Sequence, residues 1–170
     1  TRAQSLIHGD LHTGSIFINE ESTKVFDPEF CFYGPMGYDI GNVIANMIFA
    51  WANGDAAGAA DFCKWVEDVL VDVINMTKEK MEKYYDEHVT DTMCRNELYK
   101  KYYMDTIIED TSAVAGLELI RRIVGMANVK DITTIADEAK RARAEKICIT
   151  AAIDFIKNRS DKKCGKCFLK

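Results

Sequence analysis

The sequence has no long apolar run, no surplus of positive charge and no regular cysteine framework. Without an apolar run of membrane length or a secretory signal, we expect a cytoplasmic protein that does not bind a membrane. The formal net charge of −5 at pH 7 argues against nucleic acid as a partner. These absences leave small molecules and other proteins as the expected partners.

The six cysteines do not suggest structural disulfides, because most are scattered through apolar segments, where a free thiol behaves as a small hydrophobic group. Those scattered cysteines are Cys31, Cys63, Cys94 and Cys148. Cys164 and Cys167 form a C-x-x-C pair in a lysine-rich terminus, which is a weak zinc signal without a second pair or a nearby histidine. We expect residues 159–170 to be a flexible, solvated tail.

With 170 residues, 48% of them hydrophobic, the chain is long enough to bury the core of a single domain. Apolar residues recur at spacings of three and four in one segment and predict the buried face of a long amphipathic helix. They are Phe62, Trp65, Val66, Val69, Leu70, Val73 and Ile74.

Residues 78–110 mix charges with five tyrosines and predict two more surface-facing helices, broken near Thr90. The tyrosines either line a sugar pocket or are partly buried with a solvated hydroxyl. Farther on, Thr134 and Asp137 mark the start of a helix that ends near Asn158. That helix is expected to direct Ile149, Ile153 and Ile156 inward.

Three carboxylates stand out in two short motifs near the start of the chain. Residues 8–15 read His-Gly-Asp-Leu-His-Thr-Gly-Ser, and residues 27–29 read Asp-Pro-Glu. Between them, two short apolar stretches flank the polar turn 19–23, which predicts a β-hairpin. A hairpin of this length would return the chain to its start and bring Asp27 beside Asp10.

Phosphoryl transfer needs a base aimed at the nucleophile and metal ions that neutralise the phosphate oxygens. Asp10 suits the first task. Asp27 and Glu29 suit the second, because alternate side chains of an extended segment point the same way and Mg²⁺ accepts one or two carboxylates with phosphate and water. The alternative interpretation is that Asp10 caps a turn and that the other two acids are solvated loop charges.

The segments 8–17 and 27–42 together resemble the protein-kinase-like small-molecule kinases, in which an HGD loop replaces the HRD of protein kinases. The Asp-x-Glu motif is similar to that of the 5-methylthioribose kinase family, which has it in place of DFG. The resemblance implies a mainly α fold, the C-terminal lobe of a protein-kinase-like enzyme, with one short β-hairpin carrying the catalytic and metal-binding loops. It also implies ATP as co-substrate and Mg²⁺ as cofactor.

Carried over by position, the resemblance makes Asp10 the catalytic base or acceptor-orienting residue and Asp27 and Glu29 the metal ligands. Ser15 stands where most relatives carry a metal-binding Asn. A hydroxyl is a weaker ligand, so Glu29 is expected to supply the missing coordination. The resemblance also assigns support of the catalytic loop to His8, His12 and Asp39.

Asp39 has a second interpretation that the sequence leaves open. It ends the breaker-rich loop 34–39 and could cap a helix that begins near Ile40. In the kinase-like family, an aspartate at this place supports the catalytic loop, and both roles are compatible.

The adjacent Arg121 and Arg122 lie in the mostly apolar segment 112–127, together with Glu118. Buried guanidinium groups need anionic or hydrogen-bonding partners, so an internal ion-pair network with Glu118 is one interpretation. The other interpretation is that at least one arginine binds an anion, since the planar guanidinium group presents a fork of donors that suits phosphate. The pair resembles the twin-arginine element of methylthioribose kinases, which is implicated in binding substrate and the transferred phosphoryl group.

The sequence shows no glycine-rich phosphate loop, no strand lysine to pair with the phosphates and no helix glutamate to hold that lysine. We therefore expect residues 1–170 to be the C-terminal lobe of a two-lobe enzyme whose ATP-binding lobe is absent, and the isolated chain to have little or no activity. The leading hypothesis is the acceptor-binding and catalytic lobe of a kinase that phosphorylates 5-methylthioribose.

The alternatives are a related phosphotransferase for an aminoglycoside, choline or homoserine, and a non-catalytic lobe that binds a partner or forms a homodimer. The sequence does not decide whether the protein dimerises.

Overall fold

The computed structural model describes residues 3–169 and shows a mainly helical fold, as the sequence predicts. Four long helices and one short one make up most of it. The helices are α1 (Gly37–Ala57), α2 (Ala60–His88), α3 (Glu97–Ile123), α4 (Lys130–Thr133) and α5 (Glu138–Lys157). None of the helices within residues 3–169 is both long and apolar enough to cross a membrane.

Four strands of three residues each form two antiparallel pairs. The strands are β1 (Ser5–Ile7), β2 (Ile16–Ile18), β3 (Thr23–Val25) and β4 (Phe32–Gly34). The predicted hairpin is confirmed: Ile16 pairs with Val25 and Ile18 with Thr23. Its turn is fixed by the Asn19 side chain, which accepts the backbone N–H groups of Glu21 and Ser22.

The pairing of β1 with β4 was not predicted. Ser5 lies opposite Gly34, and Ile7 lies opposite Phe32. Strands of three residues carry little periodicity, and this pair joins segments that are not adjacent in sequence. The pairing places residues 8–15, the predicted catalytic loop that follows β1, beside the loop that precedes β4.

Helix α1 lies at the centre and packs against α2, α3 and α5. Small residues let the backbones approach closely: a Cβ at Gly41 would lie 2.7 Å from the carbonyl oxygen of Thr111, and one at Gly116 would lie 2.8 Å from that of Ala152. The buried core fills the space between these helices. Phe49, Ile44, Ile74, Leu119 and Phe155 are among its largest members.

The expected break near Thr90 is present, since α2 ends at His88 and α3 begins at Glu97. Helix α5 also starts as predicted, because the Asp137 side chain accepts the backbone N–H of Lys140 as an N-cap. Its predicted inward face was partly wrong: Ile153 is 47% exposed. Small residues and one aromatic face the core instead, namely Ala144, Cys148, Ala152 and Phe155.

The predicted stripe on α2 was also only partly right. Val66, Leu70 and Ile74 are buried, but Trp65 is 59% exposed and Phe62 is exposed as well. Cys63 takes the buried position in that turn. Because the bundle covers only a narrow part of the helix circumference, the wider stripe that spacing allows is not all buried.

The expected flexible tail is packed instead. Phe168 is 5% exposed, with its ring centroid 5.1 Å from that of Phe155. Lys162 is buried in an ion pair with Asp154, and Lys163 pairs with Glu109 at 3.1 Å. Lys162 and Lys163, which suggested a solvated terminus, form ion pairs with acidic residues of α5 and α3. These ion pairs and the burial of Phe168 order the segment.

Candidate active site

The loop between β1 and β2 is fixed to helix α1 by one carboxylate. Asp39 accepts the backbone N–H of His8 at 2.7 Å and that of Gly9 at 3.0 Å. Helix α1 begins at Gly37, so Asp39 lies inside the first turn, where a negative charge is favourable. It does not cap the helix, because both of its oxygens serve the loop. This is the contact that a supporting role for Asp39 requires.

His8 joins the same loop to the end of the hairpin. Its Nε2 lies 2.8 Å from the carbonyl oxygen of Phe26, and its Nδ1 lies 3.3 Å from the backbone nitrogen of Asp10. A carbonyl only accepts and a backbone N–H only donates, so these contacts together require a neutral ring with the proton on Nε2. His8 thus connects the Asp10 backbone to the residue before Asp27.

Gly9 brings the second acidic segment close. Its φ of +87° is open to glycine, and a Cβ there would lie 2.1 Å from the carbonyl oxygen of Phe30. The loop 27–30 therefore crosses directly over Gly9, with Phe26 on one side and Phe30 on the other. Sequence analysis did not identify this contact, although a glycine between His8 and Asp10 was a signal of it.

Asp27 has a φ of 66°, a conformation that is uncommon for residues other than glycine. Such backbone strain persists where the surroundings hold it and is found at ligand-binding sites. Asp27 and Glu29 are both exposed. The structure places their segment against the catalytic loop and leaves both carboxylates accessible.

His12 lies between Asp10 and Ser15. Its Nε2 is 4.0 Å from Asp10 Oδ2 and 3.3 Å from Ser15 Oγ. Ser15 is buried, and its hydroxyl keeps an oxygen lone pair when it donates to His12. His12 therefore hydrogen-bonds to one predicted site residue, Ser15, and lies near a second, Asp10.

The donor set suits a hard cation held partly by the substrate. Within residues 3–169, no group of three or more His, Cys, Asp or Glu side chains is placed to hold a metal ion. Asp27 and Glu29 provide only two exposed carboxylates on one short loop, so they do not form such a group of three. They match the one or two carboxylates that Mg²⁺ takes when phosphates and water complete its shell.

Both arginines bind Glu118 at the end of α3. Arg121 donates from Nε at 2.7 Å and from Nη2 at 2.9 Å, and Arg122 donates from Nε at 2.7 Å. Burial alone would raise the pKa of Glu118, but these hydrogen bonds outweigh it and hold the pKa below its ordinary value. The internal ion-pair network is therefore present.

The two guanidinium groups nevertheless face different surroundings. Arg121 is 50% exposed, and its pKa is raised by the hydrogen bond to Glu118, with further contributions from the charges of Asp10 and Tyr38. Arg122 is more buried, donates to the carbonyl oxygen of Ala127, and lines a separate cavity of about 250 Å³ beside α4 and α5. The charge of Arg121 thus interacts with that of Asp10, whereas Arg122 lines a separate cavity.

A larger cleft of about 870 Å³ lies between β1, α2 and α3 and reaches Asp39. Four of the tyrosines singled out in the sequence line it, namely Tyr84, Tyr85, Tyr99 and Tyr103. Tyr85 donates its hydroxyl to the carbonyl oxygen of Cys94 at 2.6 Å, so this ring has a structural contact. The lining is mostly apolar and is separate from Arg121.

Comparison with known proteins agrees with these features. Residues 1–70 match the model of the "Phosphotransferase enzyme family". The chain is 38% identical to methylthioribose kinase 1 of Oryza sativa subsp. japonica, over 93% of this chain and 40% of the relative. It is 37% identical to methylthioribose kinase of Bacillus pumilus and 34% identical to that of Escherichia coli, over 92% and 93% of this chain.

The chain spans about 40% of the length of these relatives, with 39% of the Bacillus protein and 41% of the Escherichia protein matched. Residues 1–70, which match the family model, contain both acidic motifs and the hairpin. As its motifs predict, the chain is similar to the methylthioribose kinases over nearly its whole length.

Proposed function

We propose that this chain is the catalytic, acceptor-binding C-terminal lobe of an ATP-dependent kinase that phosphorylates the anomeric 1-hydroxyl of 5-methylthioribose. The product would be 5-methylthioribose 1-phosphate, an intermediate of methionine salvage. Support comes from the names of the relatives and from the agreement of two separate motifs with that family. The rest of the relatives' length would supply the ATP-binding lobe.

The observation that carries the proposal is that Asp10 and Arg121 lie near enough for their charges to interact. These residues are far apart in sequence, yet the charge of Asp10 contributes to the raised pKa of Arg121. An acid beside a half-exposed arginine is the pair that phosphoryl transfer to a hydroxyl needs: one group orients the hydroxyl and the other neutralises the phosphoryl oxygens. The fixed loop positions the acid, and α3 positions the arginine.

Each site residue then has a task. Asp10 orients the acceptor hydroxyl and takes its proton, while Asp39 and His8 hold the loop that carries it. Arg121 binds the transferred phosphoryl group and the sugar, and Arg122 acts with Glu118 to set the direction of Arg121. His12 lies between Asp10 and Ser15 and keeps their side chains close to each other.

Asp27 and Glu29 would hold Mg²⁺, which supplies positive charge to the phosphates of ATP when it is bound. The crossing of loop 27–30 over Gly9 supports this assignment, because it brings their segment next to Asp10. Ser15 would contribute through a lone pair of its hydroxyl oxygen. We expect the protein to work in the cytoplasm and to bind neither nucleic acid nor membrane.

The test is a kinase assay on a full-length protein that contains this chain, with ATP, Mg²⁺ and 5-methylthioribose. Product is identified by phosphorus NMR and turnover by ADP release. Asp10→Asn is expected to lower kcat roughly 10²- to 10⁴-fold, the range for loss of a general base. Glu21→Gln is the matched control, since Glu21 is an exposed acid in the hairpin turn.

Two results would contradict the proposal. If Asp10→Asn kept the activity of the control, the lobe would not catalyse the reaction. If choline, homoserine or an aminoglycoside were phosphorylated in preference to 5-methylthioribose, the class of kinase would hold and the substrate would be wrong. Arg121→Gln distinguishes these substrates further, because the loss of the guanidinium group should lower activity most with 5-methylthioribose.

A further inference from the structure

The C-x-x-C pair near the end of the chain lies in a well-anchored turn that the proposed kinase reaction does not use. The Sγ atoms of Cys164 and Cys167 are 2.9 Å apart, and Cys164 is exposed. The backbone N–H of Cys167 donates to the carbonyl oxygen of Cys164 at 2.9 Å, which closes a tight turn. Such a turn keeps the two Cα atoms within the separation that a disulfide requires.

The turn is held against α2 by contacts on the residue between the thiols. Gly165 donates its N–H to Asn75 Oδ1 at 2.9 Å, and a Cβ there would lie 2.4 Å from the carbonyl oxygen of Val71. Only glycine allows this approach. The turn therefore cannot open by a simple rotation of its backbone while it stays on α2.

Contacts on both sides of the turn add to this restraint. Lys162 donates from Nζ to the carbonyl oxygen of Cys167 at 2.9 Å and is itself buried against Asp154. On the other side, Phe168 is buried against Phe155. The two thiols are thus fixed next to each other by a surface that is already folded.

Two of the other cysteines, Cys63 and Cys148, are buried. Burial raises the pKa of Cys148 to about 12 and also raises the pKa of Cys63, so these thiols resist ionisation. Zinc is not favoured at Cys164 and Cys167, because the described residues provide no third ligand there. Two adjacent thiols without a third ligand are suited to exchange with a disulfide.

We propose that Cys164 and Cys167 form a site of reversible thiol–disulfide exchange with low-molecular-mass disulfides such as that of glutathione. The Cys164 thiolate attacks one sulfur of the oxidant, forming a mixed disulfide and releasing one thiolate. The Cys167 thiolate then attacks Cys164 Sγ, forming the internal bond and releasing the second thiol. Overall, the two cysteines lose two electrons and two protons, and the oxidant becomes two thiols.

The geometry favours the second step over accumulation of the mixed disulfide. The sulfurs need to approach by roughly 0.9 Å to reach bonding distance. Because the thiols are held together, the internal attack proceeds at high effective concentration. The expected product is therefore an internal bridge with little glutathione attached.

The experiment equilibrates the whole chain in buffers with graded ratios of reduced to oxidised glutathione, followed by acid quenching and alkylation of free thiols. Peptides are analysed by mass spectrometry after cleavage at acidic residues, because trypsin would cut at Lys166 between the thiols. The peptide with Cys164 and Cys167 should pass from doubly alkylated to a form that has lost two hydrogens. The bridged peptide should be at least roughly tenfold more abundant than the glutathione-modified peptide. Dithiothreitol should reduce the bridge and restore the doubly alkylated form.

Cys31, an exposed thiol before β4, serves as the internal control and should give only alkylated or glutathione-modified peptide. Asn75→Ala removes one anchor of the turn without altering a thiol, and it should shift bridging to more oxidising ratios. Circular dichroism confirms that this variant is folded. The proposal is overturned if Cys164 accumulates as a stable mixed disulfide, if both thiols stay alkylated where Cys31 reacts, or if the bridge joins two chains.

Discussion

Glu118 shows how a single buried acid determines the directions of two arginines. It is 6% exposed and accepts hydrogen bonds from both Arg121 and Arg122. Neutralising one member of a buried ion pair leaves the partner charges uncompensated, so the cost is larger than for a surface pair. The stability of the fold and the orientation of the Arg121 side chain both depend on this carboxylate.

We expect Glu118→Gln to lower the free energy of unfolding by roughly 2–3 kcal/mol at pH 7. Because the pKa of Glu118 is depressed in the folded protein, the stabilisation is present above the unfolded value of about 4.3. It is lost as the pH falls through the folded pKa. Urea unfolding of both proteins at pH 7, 5 and 3 should show the difference shrinking only below about pH 4.3.

Asp55→Asn is the matched control, since Asp55 binds Arg143, whose side chain is exposed. Exposed pairs contribute little, so this change should be much smaller than that of Glu118→Gln. A difference for Glu118→Gln that stayed constant down to pH 3 would contradict the assigned pKa direction.

Gly9 decides whether the second acidic segment can lie over the catalytic loop. Gly9→Ala should cost roughly 2–3 kcal/mol, because it combines a positive φ with a clash against the Phe30 carbonyl. Gly58→Ala is the control: its φ of +75° is similar, but nothing lies within 4 Å of the added Cβ. That change should cost about 1–2 kcal/mol.

Urea unfolding gives both values, and hydrogen exchange locates the effect. Amide protons of residues 26–31 should exchange faster in Gly9→Ala than in Gly58→Ala, since the loop must move to relieve the clash. Equal stabilities and equal exchange in the two variants would show that the loop does not cross Gly9.

At the level of elements, the close crossing of α1 and α3 positions the whole site. Asp39 is in the first turn of α1, and Arg121 is in the last turn of α3. The relative placement of these helices therefore sets the distance from the catalytic loop to the arginine. Gly41 makes the crossing possible by its lack of a side chain.

Gly41→Ala should destabilise the protein by roughly 1–3 kcal/mol, because the added Cβ would meet the Thr111 backbone, which cannot move alone. Gly54→Ala, in the same helix, is the control. Its Cβ would meet the Phe62 and Cys63 side chains, and Phe62 is exposed and able to shift. With the gain in helix propensity, this variant should stay within about 1 kcal/mol of the unchanged protein.

Thermal and urea unfolding of the two variants give the comparison. The crossing is not tightly packed if Gly41→Ala is as stable as Gly54→Ala. In a full-length protein, Gly41→Ala should also lower kinase activity through the displaced Arg121, whereas Gly54→Ala should not.

For the whole molecule, the strands expose an unusual amount of apolar surface. Exposed apolar side chains occur on all four short strands, namely Leu6, Phe17, Ile18, Val25 and Tyr33. Large exposed apolar surfaces mark sites where another part of a protein packs. The relatives are about two and a half times as long as the matched segment, so their remaining length is the expected cover.

We therefore expect the isolated 170-residue chain to show little or no kinase turnover, because the groups that hold ATP are not among its motifs. ADP release with 5-methylthioribose should rise by orders of magnitude in a longer protein that adds the ATP-binding lobe. Comparable turnover by the isolated chain under the same conditions would refute this expectation.

Much of this protein follows from local sequence. The hairpin β2–β3, the break near Thr90 and the Asp137 cap of α5 rest on neighbouring residues, and local patterns predict such features well. The family was also recognisable, because its motifs lie in short, contiguous segments. The resemblance predicts loop support by Asp39, which accepts the backbone N–H groups of His8 and Gly9, and the catalytic role of that loop stays a prediction.

Other features were decided only by tertiary structure. The pairing of β1 with β4, the divergence of Arg121 and Arg122, the exposure of Ile153 and the packing of residues 159–169 all involve partners distant in sequence. Apolar spacing shows that a helix has a buried face, but the rotation of the helix about its axis depends on which neighbours it meets. The lysines of the terminus likewise suggested solvation. In the folded protein, however, Lys162 pairs with Asp154 of α5 and Lys163 with Glu109 of α3.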